Sequence, residues 1–141
     1  MKLLNFYAFV LSIVFSTAIN AAEHQFQKAI CKMSEDSDRE LVIEPSPHEL
    51  AFPTYNVKLY YRGTLVLDLE DMPVKQNDDS RLIVETSSEI EGRGNGNYVI
   101  TAGLYWEGNR AKEGFYVKAA NGGESPLPAL VFDTCKVLTC N

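Results

Sequence analysis

The stretch from Tyr55 to Ala119 most constrains the fold, because apolar and polar side chains alternate along it with a period of two. Successive side chains of a β-strand point to opposite faces, so this period predicts strands that are buried on one side. Turn signals interrupt the alternation at Arg62-Gly63, at the glycine-rich segment 91–97 and near Gly108. Short strands separated by such signals are typical of β-sandwiches and barrels. The pattern therefore predicts an antiparallel all-β domain.

Further strands are predicted on both sides of this stretch, at 25–33, 41–43 and 129–139, which gives about eight in total. The three prolines of segment 44–53 predict a loop, and the polar segment 71–80 predicts another. The domain is expected to be either a β-sandwich or a closed meander barrel. Closure would remove exposed strand edges and place the first and last strands side by side.

The longest predicted strand, Tyr98–Glu107, carries Ile100, Ala102 and Leu104 on one face. Its other face is also largely apolar, which is typical of a central strand. The same alternation places three tyrosines on the face opposite the most apolar set. They are Tyr60, Tyr105 and Tyr116, and they predict either an outward interface or a covered second face.

An apolar run from Leu3 to Ile19 follows Met1-Lys2 and ends at Ala21-Ala22. A positive start, an apolar run and small residues at the cleavage site are the parts of a secretory signal peptide. Polar residues dilute the run below what a spanning helix needs. We therefore expect a signal peptide over residues 1–22 and a secreted, soluble all-β domain over residues 23–141.

Three cysteines in a secreted chain predict one disulfide and one leftover thiol. Cys31 lies near the mature N-terminus, whereas Cys135 and Cys140 lie near the C-terminus. A bridge from Cys31 to either one closes a loop worth about 4–5 kcal/mol in the chain-entropy treatment. A bridge between Cys135 and Cys140 would need a turn, because an extended strand holds them too far apart. We favour Cys31–Cys135 first and Cys31–Cys140 second.

The formal net charge of −6 becomes more negative when the leader, which contains Lys2 and no acidic residue, is removed. Nucleic-acid affinity comes mainly from neutralising phosphates, so an acidic chain is a poor candidate for nucleic acid. Anionic membrane surfaces are disfavoured for the same reason. Acidic charge is compatible with a basic protein partner, since complementary charge speeds encounter.

Residue types that carry catalysis or bind metals form no recognisable set in this sequence. His24 and His48 are the only histidines, and they lack the spacing of a zinc pair. The acidic residues of 36–40 lack the glycine and the distal glutamate of an EF-hand loop. No Gly-x-Ser-x-Gly motif is present. We therefore predict no metal, no cofactor and no enzymatic activity.

The glycine-rich turn provides the leading candidate for contact with a partner. Arg93 lies between Gly92 and Gly94, where the backbone can approach a partner and the guanidinium can pair with a carboxylate. An ordinary hairpin loop with a solvated arginine is the alternative interpretation. If the strands run up and down in order, Arg62 and the acidic segment 34–40 lie at the same end of the sheet. The predicted partner-binding residues are Glu91, Arg93, Gly94, Asn95 and Arg62.

The leader, the mature size, the all-β pattern, the cysteine near each end and the acidic charge make the chain similar in plan to periplasmic lysozyme inhibitors. It resembles more specifically the periplasmic immunity proteins that act against a lysozyme-like effector of the type VI secretion system. The Ser-Gly-x-Arg-Tyr type of pattern found in lipoprotein lysozyme inhibitors is absent, so no family residue is carried over.

The resemblance implies a periplasmic protein that inserts a loop into the cleft of a peptidoglycan hydrolase, often in a homodimeric context. Such clefts hold a catalytic pair of carboxylates. Arg93 would neutralise one of them, with Arg62 as the second choice. Two other functions stay open at this point: a small-ligand carrier with a barrel lumen, and a secreted hydrolase of unrecognised type.

Overall fold

A computed structural model describes residues 25–89, 97–120 and 130–139 of the chain. Within these ranges, nine antiparallel strands form one nearly closed, barrel-like sheet, and there is no helix. The strands are β1 (Lys28–Lys32), β2 (Arg39–Pro45), β3 (Thr54–Tyr61), β4 (Thr64–Asn77), β5 (Arg81–Glu89), β6 (Asn97–Glu107), β7 (Arg110–Ala120), β8 (Leu130–Phe132) and β9 (Thr134–Leu138). The prediction of an antiparallel all-β domain is thereby confirmed, and of its two alternatives, sandwich and closed meander barrel, the observed sheet corresponds to the barrel. The predicted signal peptide, residues 1–22, lies outside the described residues.

The sheet is a meander in which each strand from β1 to β7 pairs with the next. The predicted last strand is in fact two strands, because the chain changes partner at Asp133. Before this residue, β8 pairs with β7, with Phe132 opposite Gly114. After it, β9 pairs with β1, with Thr134 opposite Lys32. This change of partner brings the first and last strands together, as barrel closure requires.

The core is formed by the inward-facing side chains of all the long strands, which pack as one apolar cluster. Ile100, Ala102 and Leu104 are buried on one face of β6, as the period of two predicts. The largest fully buried side chains are Phe132, Leu41, Ile43, Met72, Leu82, Leu104 and Val57. Burying apolar surface of this kind is the main favourable contribution to folding.

The placement of Tyr116 on the face opposite the most apolar set is wrong. Tyr116 is buried in the core opposite Ala102, whose small side chain leaves room for the phenol ring. Burial raises the pKa of the Tyr116 hydroxyl above its ordinary value. Phe115 takes the outward face instead, where its ring lies against Gly103 and its centroid is 5.4 Å from that of Tyr105. Tyr105 is exposed, which agrees with the outward one of the two alternatives.

The predicted loop over 71–80 is mostly strand, because β4 continues through Met72 and Pro73 to Asn77. Met72 is fully buried, so this part of β4 contributes to the core. Pro73 is the last residue of β4 that pairs with β3, and Val74 is the first that pairs with β5. A proline has no backbone N–H to donate to a neighbouring strand. It can be accommodated where one strand pair ends and the next begins, because no hydrogen bond within either pair is lost there.

Cys31 and Cys135 form a disulfide, which confirms the favoured pairing. They lie directly opposite each other in the β1–β9 pair, and 104 positions separate them in sequence. Gly114 of β7 packs against this bridge, since a Cβ atom there would lie 2.7 Å from the Cys31 sulfur. The bridge therefore links the two ends of the meander at its closure. Cys140 lies outside the described residues.

Candidate partner-binding site

The hairpin between β3 and β4 ends in a tight turn at Arg62-Gly63, where the sequence predicts one. Arg62 has a φ of 48° and Gly63 a φ of 75°, and Tyr61 pairs with Thr64 across the turn. A two-residue turn with positive φ at both central positions matches the twist of the flanking strands. Positive φ is uncommon for a residue other than glycine. Additional contacts are therefore expected to hold Arg62 in place.

Asp38, in the acidic connection between β1 and β2, provides those contacts. The backbone N–H of Arg62 donates to the carbonyl oxygen of Asp38 at 2.7 Å, and its Nε–H donates to Oδ2 of Asp38 at 2.9 Å. Asp36 fixes the same connection, because its carboxylate accepts from the Asp38 N–H at 3.2 Å and pairs with Arg39 at 3.1 Å. The strand order thus places Arg62 beside the acidic segment.

The tip of the β3–β4 hairpin lies at the surface of the barrel. Every residue from Tyr61 to Val66 is exposed. Three of these residues are apolar: Tyr61 is 41% exposed, Leu65 44% and Val66 55%. A register shift in the β3–β4 ladder at Tyr60 leaves Val66 without a directly opposite residue. Large apolar side chains at an exposed hairpin tip are typical of a contact surface for another molecule.

The Arg62 guanidinium lies 5.2 Å above the centroid of the Tyr61 ring, and 69% of the Arg62 side chain is exposed. Its Nε–H is used by Asp38. The two Nη groups carry four further N–H donors in a planar fork, which matches the two oxygens of a carboxylate. Arg62 can therefore stay bound to Asp38 while it presents a bidentate donor to a partner.

Three residues of this tip, Tyr61, Leu65 and Val66, are absent from the sequence-based set. The signal was present in the sequence, because the runs Tyr60-Tyr61 and Leu65-Val66 break the period of two on both sides of Arg62-Gly63. Two consecutive apolar residues cannot both face the core of a one-sided strand. Such runs next to a turn indicate apolar side chains that face solvent.

The other four predicted contact residues, Glu91, Arg93, Gly94 and Asn95, lie outside the described residues. The strands on either side of them are described, and Glu89 of β5 pairs with Asn97 of β6. Strands β3 and β5 run in the same direction, since each is antiparallel to β4. The C-terminal ends of these two strands therefore point toward the same end of the barrel.

A second polar cluster lies at the opposite end, where the β2–β3 connection folds onto the outside of β4. The Asp71 carboxylate accepts hydrogen bonds from the Ser46 hydroxyl and, at 2.9 Å and 3.1 Å, from His48 Nδ1. Asp71 has a φ of 54°, and its N–H donates to Oδ1 of the buried Asn56 at 3.0 Å. Donation from Ser46, and then from His48, holds the pKa of Asp71 below its ordinary value.

Ser46, His48 and Asp71 are the residue types of a hydrolytic triad, but their arrangement is different. In a triad the histidine lies between the serine and the aspartate and takes the serine proton. Here both Ser46 and His48 bind the carboxylate, and the Ser46 hydroxyl also accepts from the His48 backbone N–H at 3.1 Å. The cluster therefore fastens the β2–β3 connection to β4, and this geometry does not activate Ser46 as a nucleophile.

Two further observations concern metals and membranes. Across the described ranges, no group of three or more His, Cys, Asp or Glu side chains is placed to hold a metal ion. The same residues include no helix with the length and apolar character needed to cross a membrane.

In comparisons with known proteins, no family model, no curated protein and no solved structure matches this chain.

Proposed function

We propose that the protein is a periplasmic inhibitor or immunity protein that blocks a cell-wall hydrolase by inserting the β3–β4 hairpin tip into its active cleft. The hydrolase would be a lysozyme-like enzyme, such as an effector of the type VI secretion system. The observation that carries the proposal is the exposed tip itself, in which Arg62 stands among Tyr61, Leu65 and Val66.

The composition of the tip supports a protein partner. Tyrosine and arginine are enriched among the residues that dominate binding energy at interfaces. The tight turn and the Asp38 contacts fix the tip before binding, which lowers the entropy lost on association. A restrained, exposed turn is suited to entering a concave site.

The charge of the tip supports a cleft that contains carboxylates. A glycosidase cleft holds two Asp or Glu residues on either side of the scissile bond. The free Nη donors of Arg62 would pair with one carboxylate and hold it charged, while Tyr61 and Leu65 would displace water and substrate from the cleft. The enzyme would then lack a carboxyl group able to act as an acid.

The disulfide supports a location outside the cytoplasm. Bridges such as Cys31–Cys135 persist in oxidising compartments, including the bacterial periplasm. The packed apolar cluster inside the barrel favours a binding protein over a carrier with a wide lumen. The arrangement of Ser46, His48 and Asp71 favours it over a serine hydrolase.

The test is inhibition of lysozyme-like peptidoglycan hydrolases by the purified protein and by Arg62→Asn. Asparagine followed by glycine is the preferred sequence for this turn, so the variant keeps the hairpin and removes only the guanidinium. We expect inhibition to weaken about 30-fold or more, as for an interface residue worth 2 kcal/mol. Arg62→Lys keeps the charge but not the fork, and should recover only part of the loss.

Lys75→Ala is the matched control. Lys75 is an exposed cation on β4, the strand that follows the turn, and it lies away from the tip. It should inhibit as the original protein does. Full inhibition by Arg62→Asn together with full inhibition by Tyr61→Ala would remove the hairpin tip from the mechanism. Failure of the original protein to inhibit any peptidoglycan hydrolase would remove the proposed function altogether.

A further inference from the structure

The change of partner at Asp133 leaves two strand edges facing each other across the barrel closure. β8 pairs only with residues 114–116 of β7, so the preceding residues of β7, Arg110–Glu113, have no partner on that side among the described strands. β9 pairs with β1 on one side, and no described strand pairs with its other side. Unpaired strand edges carry N–H and C=O groups that can bind another extended chain.

A groove of about 320 Å³ lies between these two edges. One wall is formed by Glu107 and by residues 110–112 at the start of β7, and the other by Asp133 and the first two residues of β9. Ala111 is buried within the first wall, and Cys135 belongs to the disulfide. This volume is at the lower end of the range of ligand sites, and it suits a short segment of chain.

Among the described residues, the charges in the groove leave one cation without a carboxylate partner. Lys112 Nζ lies 3.4 Å from Oε2 of Glu107, so these two side chains neutralise each other. Asp133 accepts from the Ser34 backbone N–H at 2.7 Å and also from the Ser34 hydroxyl. Arg110 is exposed and pairs with no carboxylate of the described part of the chain. Its planar guanidinium is therefore available to an incoming carboxylate.

From these observations we infer a second binding site, in which the groove between β7 and β9 takes a short extended peptide that carries a carboxylate side chain. The peptide backbone binds the free edge of β7 or β9 as an added strand, and its carboxylate pairs with Arg110. Main-chain bonds supply affinity and side-chain contacts supply specificity in this mode of recognition. Three extended residues span about 10 Å, which is the length of chain from Arg110 to Lys112.

This site is independent of the hairpin tip, and no hydrolase is needed to test it. The probe is the blocked tripeptide acetyl-Val-Glu-Val-amide, titrated into the ¹⁵N-labelled protein and followed by amide chemical shifts. We expect shifts confined to the groove, at Ala111, Lys112, Thr134 and Cys135, with saturation in the millimolar range. Arg110→Ala should weaken binding about two- to five-fold, as for an exposed ion pair, whereas Arg81→Ala, outside the groove, should not.

Two matched probes separate the parts of the site. The glutamine peptide acetyl-Val-Gln-Val-amide should bind as weakly to the original protein as the glutamate peptide binds to Arg110→Ala. A glutamate peptide with N-methylated backbone should lose binding, because it cannot form strand hydrogen bonds. Saturation by acetate at the same concentration as the peptide would overturn strand addition. Absence of groove shifts with the glutamate peptide would overturn the site.

Discussion

Arg62 and Asp38 are joined by two hydrogen bonds, one between their backbones at 2.7 Å and one between their side chains at 2.9 Å. They belong to different connections, the first between β3 and β4 and the second between β1 and β2. Two bonds to one residue restrain both the turn and the guanidinium. The pair therefore determines the direction in which the tip presents its free donors.

Replacing Asp38 with alanine should release the Arg62 side chain while the turn stays in place, because Gly63 still favours positive φ. The measurement is ¹⁵N relaxation of the Arg62 Nε–H group. We expect its order parameter to fall below about 0.6, a value typical of flexible groups. Asp79→Ala, which removes an exposed carboxylate from the turn between β4 and β5, should leave it unchanged. An unchanged value in Asp38→Ala would show that Asp38 does not restrain Arg62.

Alanine substitutions at Gly63 and Gly103 should lower the free energy of unfolding by different amounts, because the first site has open space for a side chain and the second does not. Gly63→Ala places a side chain at positive φ with no atom within 4 Å, so only conformational strain of about 1 kcal/mol is expected. At Gly103 the new Cβ would overlap the Leu82 carbonyl oxygen and lie 2.5 Å from the Phe115 ring. Gly103→Ala should therefore cost about 2–3 kcal/mol, as overpacking does. Urea unfolding measures both, and equal losses would contradict this difference.

The parts of the fold that the sequence predicts correctly are those determined by a local period. The inward positions Ile100, Ala102 and Leu104 follow from alternation alone, and the Arg62-Gly63 turn follows from the glycine between two strands. Loop length and closure of the sheet favour a bridge between the two ends of the chain, and of the two such pairings that the sequence leaves open the structure shows Cys31–Cys135.

The parts that were predicted wrongly depend on which strands become neighbours. Pro73 looks like a loop residue until β4 is seen to change partner there. Alternation places Tyr116 on the face opposite the most apolar set until its partner is known to be Ala102, which leaves space for the ring. The division of the last strand at Asp133 depends on Ser34, which is 99 positions away in sequence. Register with a distant strand is not encoded in any local pattern.

The candidate site was predicted in part for the same reason. Arg62 was identified because a charged residue on a tight turn is exposed in any arrangement of the strands. Tyr61, Leu65 and Val66 were missed because apolar residues in a strand are assigned to the core by default. How exposed the tip is depends on where the neighbouring strands end, and this is a property of the assembled barrel.

Removing the disulfide should strongly destabilise the protein. A bridge across 104 positions stabilises by about 4–5 kcal/mol in the chain-entropy treatment, which is a large part of the stability of a small domain. The measurement is urea unfolding of the oxidised protein, the reduced protein and the variant Cys31→Ala/Cys135→Ala. The reduced protein and the double variant should both unfold at a much lower urea concentration than the oxidised protein. Coincident midpoints in all three would contradict the expected stabilisation.

Thiol counting provides a separate check of the pairing. Titration of the unreduced protein in denaturant should detect one free thiol out of three cysteines, because one pair is bridged. Peptide mapping of the same sample should recover Cys31 linked to Cys135. Recovery of a peptide that links Cys31 to Cys140 would contradict the pairing in the structure.

Stability should depend on the protonation of Asp71 at acidic pH. Hydrogen bonds from Ser46 and His48 lower the pKa of Asp71 in the folded protein, whereas the unfolded chain has the ordinary value of 3.8. The folded state therefore binds the proton less readily than the unfolded state. The contribution of the ionised Asp71 carboxylate to stability is complete above pH 3.8 and is lost as the pH falls through the folded-state pKa of Asp71.

The check is ¹³C NMR titration of the Asp71 carboxyl in the original protein and in Ser46→Ala. We expect a pKa below 3.8 in the original protein and a rise toward 3.8 in the variant, because the Ser46 hydroxyl is the largest cause of the shift. Asp71→Asn should make the free energy of unfolding less dependent on pH in the acid range, since it removes the linked proton. A pKa of Asp71 that does not change in Ser46→Ala would show that Ser46 does not hold this carboxylate. The contact between the β2–β3 connection and β4 would then rest on His48.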